Sequence, residues 1–267
     1  MGLYFKSLCS SSGGNSLVLW TETTCIAVDC GFGSMKRCRA ALGPYLAEPG
    51  RTRAVLLSHA HTDHVSHYPL RVLEQLAVPV YVHAGSRDLL TERHFNGRGF
   101  ASLDLRTFEH EPFVIGDFTI QPIELEHHPW FPTFGFAFQC RVGRRPYRVV
   151  TLTDFCRWDT LVDRLQDADF VFVESNHDLE LLELYYNPNS RFHSPNPDTA
   201  RLLCQARRHS RRPFGGVMLG HISPQRNRPS LALEAAQTAF ADNGLAVDFP
   251  LYAAPLREPS ETIVIAP

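Results

Sequence analysis

The densest cluster of chemistry-bearing residues in the sequence is Ser58–His64, which reads SHAHTDH. Its H-x-H-x-D-H pattern places His59 and His61 two residues apart at the end of an apolar run, so both imidazoles face the same side of an extended chain. Asp63 and His64 follow on a turn, where they can face a second position nearby. Because imidazole and carboxylate groups bind zinc and similar divalent ions, the segment predicts a metal site. A histidine-rich surface loop is the alternative.

Two metal ions need more ligands than one loop supplies. Three further segments place His or Asp directly after a strand-like apolar run, at His127-His128, Asp154 and His221. Functional sites are often built on such loops because the strands hold them rigidly. A single histidine at a strand end is usually structural, but three such segments beside an H-x-H-x-D-H motif indicate that the site is completed from other strands.

Short apolar runs bounded by turn signals predict the elements that position these residues. The predicted strands are Leu3–Leu8, Ser16–Trp20, Thr24–Asp29, Ala54–Ser58, Val78–Val82, Phe113–Glu126, Phe134–Gln139, Tyr147–Thr153, Ala168–Glu174, Gly215–Leu219, Val247–Tyr252 and Thr262–Ile265. The predicted helices are Met35–Leu46, Leu179–Tyr185, Asp198–Arg208 and Ser230–Asp242. A strand-rich middle and the lack of a glycine-rich fingerprint argue against a doubly wound sheet. We expect a single α/β domain over residues 1–267, with two packed sheets and outer helices.

Composition limits the functional classes. The chain has 267 residues, 44% of them hydrophobic, and a net charge of −2, so bulk electrostatics do not predict tight binding to nucleic acid or membrane. No apolar run is long enough to span a bilayer, and the first residues lack the pattern of a secretion signal. Seven cysteines without a C-x-x-C motif indicate reduced thiols and a cytoplasmic protein.

The order of these motifs resembles that of the metallo-β-lactamase-fold hydrolases over essentially the whole chain. Asp29-Cys30-Gly31 is similar to the early Asp-x-Gly turn of that superfamily. The sequence most resembles the YycJ/VicX-type branch, which is associated with DNA exonucleases. The segments that carry this resemblance are Ser10–Asn15, Glu174–Asp178 (ESNHD) and Leu219–Ser223 (LGHIS). The resemblance implies an αββα four-layer sandwich of two mixed β-sheets with outer helices.

The resemblance also implies the metal ligands. The first ion is expected at His59, His61 and His128, the second at Asp63, His64 and His221, with Asp154 bridging them. We favour His128 over His127 because Gly135-Phe136 follows His128 at the separation typical of the family, and because successive strand residues face opposite sides. Two divalent ions are expected as cofactors. Nitrogen and oxygen ligands without cysteine favour zinc, with manganese and iron as alternatives.

Four further residues are candidates for contact with the substrate. His193, in the segment FHSPN, corresponds to a family histidine that protonates a leaving group. The Ser11–Asn15 turn, with Ser12 and Asn15, is either a turn on conformational grounds alone or a cradle of backbone N–H groups for phosphate. His177 either contacts the substrate or orients a metal ligand.

The predicted function is a dinuclear metal-dependent hydrolase acting on phosphodiesters, with DNA or RNA as the substrate. A metal-bridging water loses a proton near neutral pH and becomes the nucleophile, Asp63 orients it, and His193 protonates the departing oxygen. The alternatives are a small-molecule hydrolase (a lactonase, thioesterase or cyclic phosphodiesterase) and a metal-binding scaffold without catalysis. The near-neutral charge favours the small-molecule hydrolase, whereas the ESNHD segment favours the nuclease.

Overall fold

The first of two β-sheets is formed mainly by the N-terminal part of the chain. The computed structural model describes residues 2–95, 97 and 99–267. Across this sheet the strands are β14 (Ile263–Ala266), β1 (Leu3–Ser11), β2 (Gly14–Trp20), β3 (Thr24–Val28), β4 (Thr52–Leu56), β5 (Val80–His83) and β6 (Leu105–Phe108). The pairs from β14 to β3 are antiparallel and those from β3 to β6 are parallel, so the sheet is mixed.

The second sheet also has seven strands, which lie between Phe113 and Ala253 in the sequence. Its strands, in order, are β13 (Leu251–Ala253), β12 (Val217–Gly220), β11 (Phe170–Glu174), β10 (Arg145–Leu152), β9 (Thr133–Val142), β8 (Phe118–Leu125) and β7 (Phe113–Ile115). The strands β10 to β13 are parallel, whereas β7 to β10 pair antiparallel. This sheet is therefore mixed as well.

Helices cover the outer faces of both sheets. Their bounds are α1 (Met35–Leu46), α2 (His67–Gln75), α3 (Arg87–His94), α4 (Val162–Leu165), α5 (Leu179–Leu184), α6 (Asn196–His209) and α7 (Pro229–Asp242). Apolar residues of α1, α2 and α3 pack on the first sheet, and those of α4, α6 and α7 pack on the second. The predicted αββα sandwich of two mixed sheets is thus confirmed. None of the helices in the described part of the chain is long and apolar enough to cross a membrane.

Strand β11 shows why the sequence folds into layers. Phe170 and Phe172 face the core between the two sheets, while Val171 and Val173 face the helices on the outside. Strand β4 alternates in the same way, with Ala54 and Leu56 inward and Val55 outward. A parallel strand that is covered on both faces needs apolar residues at every position, which explains these continuous apolar runs.

Several predicted elements differ from the structure. The predicted strand Phe113–Glu126 is two strands, because Gly116 turns the chain between β7 and β8 with a φ of 54°, in the left-handed region that favours glycine. The strand predicted at Val247–Tyr252 is only Leu251–Ala253. Helices α2 and α3 and strand β6 were not predicted. The helix Met35–Leu46 is confirmed with the predicted bounds.

Candidate active site

Strand ends from both sheets meet at one edge of the sandwich. Asp29 follows β3, and the His59–His64 loop follows β4, at the carboxyl ends of parallel strands of the first sheet. Asp154 follows β10 and His221 follows β12 in the second sheet. Strand β8 runs in the same direction as β10, because both pair antiparallel with β9, so His127 emerges at this edge too.

Hydrogen bonds between the sheets fix these loops relative to one another. The Phe134 N–H donates to the Ser58 carbonyl at 3.0 Å, and the His221 N–H donates to the Ser10 hydroxyl at 2.7 Å. Both bonds involve residues at or beside the candidate ligands. The ligands from the two sheets are therefore held against each other by the backbone and not by side chains alone.

One group of donor atoms is formed by His59, His61 and His127. His59 Nε2 lies 2.7 Å from His61 Nδ1, and His127 Nε2 lies 3.4 Å from that same atom. Such separations are of the order expected around a tetrahedral ion with bonds of about 2.0 Å. Burial lowers the pKa of all three histidines, that of His61 to about 4. At neutral pH they are uncharged and their lone pairs are available to a metal.

A second group is formed by Asp63, His64 and His221. Asp63 Oδ2 lies 3.5 Å from the Nε2 atoms of both histidines. Asp154 contacts both groups, because its Oδ2 lies 3.0 Å from His64 Nε2 and its Oδ1 lies 3.6 Å from His127 Nε2. Asp154 Oδ2 is buried, and because its close contact with His64 lacks hydrogen-bond geometry, no described residue donates a hydrogen bond to it. An orphaned carboxylate oxygen between two groups of nitrogen and oxygen donors fits divalent metal ions bound there.

The geometry of the donor atoms favours His127 over the predicted His128. The His127 side chain is only 1% exposed and belongs to the first donor group, whereas His128 belongs to no such group among the described residues. His128 instead lies at the cavity wall, where its ring packs 4.7 Å from that of Phe192. Strand β8 ends at Leu125, so the alternation of strand side chains on which the prediction relied does not extend to these histidines.

Three of the histidines are oriented by a group that binds the ring nitrogen facing away from the metal position. His64 Nδ1 donates to the Asp29 carboxylate at 2.7 Å, and His127 Nδ1 donates to the Phe192 carbonyl at 2.8 Å. His59 Nδ1 contacts the Ser58 hydroxyl at 3.0 Å. These contacts orient the rings and turn Nε2 toward the donor groups, as is usual for histidines that bind metals.

Glu174 is fully buried behind the second sheet's part of the site. Its Oε1 accepts a hydrogen bond from His193 Nδ1 at 2.8 Å and lies 3.4 Å from His221 Nδ1. Its Oε2 accepts from the backbone N–H groups of Asp154 and Phe155. Burial alone would lower the pKa of His193, but the Glu174 carboxylate outweighs it and raises this pKa. Glu174 lies in the ESNHD segment that the sequence analysis identified, but no role was predicted for it there.

A family model described as Beta-lactamase superfamily domain matches residues 24–214. The chain belongs to this superfamily. It is 26% identical over 263 residues to Exodeoxyribonuclease WalJ of Streptococcus pneumoniae, with 94% of each chain covered, and 25% identical over 264 residues to Exodeoxyribonuclease YycJ of Bacillus anthracis, with 92% of each covered. The metallo-beta-lactamase fold protein YhfI of Bacillus subtilis superposes with a TM-score of 0.71 and 18% identity, covering 97% of this chain and 99% of that one. The chain is a hydrolase with the metallo-β-lactamase fold.

Three residues of this superfamily site have a left-handed backbone that side chains other than glycine rarely adopt. The φ angles are 63° at Asp29, 63° at Asp154 and 50° at His221. Such conformations cost of the order of 1–3 kcal/mol each and persist where the surrounding structure enforces them. Asp29 and His221 directly follow strands β3 and β12, and Asp154 lies two residues after the end of β10. The strain thus accompanies the sharp turns that aim these side chains into the site.

The site concentrates ionised carboxylates and imidazoles. The surrounding histidines lower the pKa of Asp63, Asp154 and Glu174 although burial opposes this, so all three are ionised at neutral pH. Burial likewise opposes protonation of His221, but Asp154 and Glu174 raise its pKa to about 10. Carboxylates likewise raise the pKa of His64 and His193, so protonated histidines offset the carboxylates here, and bound cations would take the place of those protons.

A cavity of about 320 Å³ opens above the two donor groups. The predicted substrate residue Ser12 and the predicted acid His193 both line it. Asn15 does not, because it is buried and its Nδ2 lies 3.3 Å from His64 Nε2. His177 is also buried, and it lines a neighbouring cavity of about 310 Å³. Of these three predicted substrate contacts, only Ser12 borders the main cavity.

Proposed function

We propose that this protein is a dinuclear metal-dependent phosphodiesterase that cleaves nucleic acid, with DNA as the favoured substrate. The observation that carries the proposal is the orphaned, buried carboxylate of Asp154 between two groups of donors. The first ion would be held by His59, His61 and His127, the second by Asp63, His64 and His221, and Asp154 would serve both. Histidine and carboxylate donors favour zinc, with manganese and iron as alternatives.

Two bound divalent ions would supply Lewis acidity to the phosphoryl group and lower the pKa of a coordinated water. The protein's own groups do the rest. The Asp63 side chain is 25% exposed at the floor of the cavity, where its carboxylate can orient the attacking water. His193 would donate a proton to the departing oxygen from Nε2, since its Nδ1 is held by Glu174. Its raised pKa keeps that proton available near neutral pH.

The choice of nucleic acid is supported by two relatives that are named exodeoxyribonucleases and align over almost the full length of both chains. A small-molecule hydrolase remains the second candidate, because the cavity is of modest size and the net charge of the chain is −2. We also propose that residues 1–267 form one domain, since the two sheets share an apolar core. The seven free cysteines support a cytoplasmic location.

The test is a substrate screen with purified protein loaded with zinc, manganese or iron. We expect hydrolysis of DNA, and loss of that hydrolysis both in EDTA and in a His127→Ala variant. The panel should include RNA, cyclic phosphodiesters and lactones. Robust lactone turnover without cleavage of DNA or RNA under any divalent metal would contradict the proposal and favour the small-molecule hydrolase.

A further inference from the structure

Arg226 lines the main cavity at a point that the metal donors do not reach. Its backbone is held on both sides, because its N–H donates to the Ser223 hydroxyl at 3.2 Å and its carbonyl accepts from the Asp178 N–H at 2.8 Å. The neighbouring Asn227 is buried and donates to the Ser175 carbonyl at 2.8 Å. The loop after β12 therefore presents this arginine from a rigid position.

The guanidinium of Arg226 has no counter-ion in the described chain, since no carboxylate oxygen lies within 4.0 Å of it. Its Nε is buried and has no hydrogen-bond partner there either. By contrast, Arg207 contacts Asp248 and Arg145 contacts Asp169, each at 2.6 Å. A partly buried cation without a partner is unfavourable unless an anion completes it. Arg226 is thus arranged to receive an anionic ligand.

The charges of the residues around the donor groups also indicate that Arg226 receives an anion. Four carboxylates lie in and behind the donor groups, namely those of Asp29, Asp63, Asp154 and Glu174. Their four negative charges match the four positive charges of two divalent ions, so beyond the ions the proton proposed on His193 is a modest attraction for a polyanion. Among the described residues that line the cavity, Arg226 is the one with a permanent positive charge.

We propose that Arg226 binds a second phosphate of the substrate, next to the one that is cleaved, and so selects a polynucleotide strand over an isolated phosphodiester. This rests on the proposed function. Arg226 shares the cavity with Asp63 and Asp154 and forms no ion pair within 4.0 Å with either carboxylate, so its guanidinium is available to a phosphate next to the one held at the donors. The planar guanidinium suits bidentate contact with phosphate oxygens.

The test compares Arg226→Gln with Arg228→Gln, a matched control two residues away that is exposed and does not line this cavity. We measure kcat/KM on a single-stranded DNA oligonucleotide and on bis(p-nitrophenyl) phosphate, which has one phosphate only. In Arg226→Gln the ratio of the two values should fall about ten-fold or more, as expected for a lost charged hydrogen bond. The control should keep the wild-type ratio, and Arg226→Lys should restore part of it.

Salt dependence gives an independent readout. Binding of a non-cleavable phosphorothioate oligonucleotide is followed by fluorescence anisotropy in EDTA over a range of salt concentrations. The slope of log affinity against log salt should become shallower by about 0.7 in Arg226→Gln, the value for one phosphate contact on a single strand. An unchanged slope together with an unchanged substrate ratio would overturn the proposal.

The two proposals fail in different ways. If the wild-type protein cleaves neither phosphodiester, the proposed function is wrong, and the anisotropy slope still decides whether Arg226 binds phosphate. If the wild type cleaves both substrates and Arg226→Gln lowers the two kcat/KM values equally, the proposed function stands. Arg226 would then act at the cleaved phosphate or on the structure, and the second-phosphate assignment would be rejected.

Discussion

The two sheets supply their candidate ligands in different ways. In the first sheet, one loop after β4 carries His59, His61, Asp63 and His64, so these ligands are close together in the sequence. In the second sheet, the ligands come from three separate strand ends, and only the sheet brings them together. The comparison teaches that a contiguous motif can be recognised without a structure, whereas a dispersed set depends on where each strand stops.

The sheets resemble each other in how they brace these ligands. Each provides a buried carboxylate behind its histidines, Asp29 for His64 and Glu174 for His221. The difference is that Glu174 also holds His193, which faces the cavity. The second sheet therefore combines metal binding with the proposed proton donor, while the first sheet provides metal ligands and their support.

The largest expected effect separates His127 from His128. His127→Ala removes one of three donors of the first group, so we expect no detectable hydrolysis and weakened metal binding. His128→Ala is the matched control, because it removes an adjacent imidazole that lies at the cavity wall, and it should cost only a few-fold in kcat/KM. The reverse order of the two effects would restore the ligand assignment made from the sequence.

This pair of residues also shows what the sequence could and could not predict. The layered fold and the H-x-H-x-D-H loop follow from local patterns of apolar, polar and metal-binding residues. The choice between His127 and His128 does not, because it depends on β8 ending at Leu125 and on the Phe192 carbonyl from a distant segment. The position of Asn15 could not be predicted for a similar reason, since its burial beside His64 arises only from long-range packing.

His193 provides the next largest effect. His193→Ala should slow cleavage of an ester with an alkoxide leaving group by about 10²-fold, the lower end for loss of a general acid. Cleavage of bis(p-nitrophenyl) phosphate should be slowed much less, because nitrophenolate leaves without a proton. Both rates are measured with the same metal. Equal losses on the two substrates would exclude the proton-donor role.

The two bracing carboxylates provide a more moderate test. Asp29→Asn and Glu174→Gln should each weaken metal affinity about 10–100-fold, as is typical when a group that orients a metal-binding histidine is changed. Metal affinity is measured by competition with a chelating dye. Only Glu174→Gln should also change the ratio of rates on alkoxide and nitrophenolate esters, because only Glu174 holds His193. If Asp29→Asn changed that ratio equally, the division of roles between the sheets would be wrong.

The smallest expected effect concerns the packing of the first sheet's loop. A Cβ at Gly31 would lie 1.7 Å from the Asp63 carbonyl oxygen and 2.7 Å from the Asn15 backbone nitrogen, so the loop would have to move. We expect Gly31→Ala to destabilise the protein by about 1–3 kcal/mol and to lower activity several-fold. Gly33→Ala is the control, since its Cβ would meet no atom within 4 Å. Thermal unfolding of both variants measures the difference, and equal melting temperatures would contradict the expectation.

The central claim is that Asp154 joins ligands from the two sheets into one dinuclear centre. The most direct measurement is the number of metal ions per chain, by elemental analysis after equilibration at a fixed free metal concentration. We expect two divalent ions in the wild-type protein and at most one in Asp154→Ala. One ion per wild-type chain, or two ions with unchanged affinity in Asp154→Ala, would contradict the account.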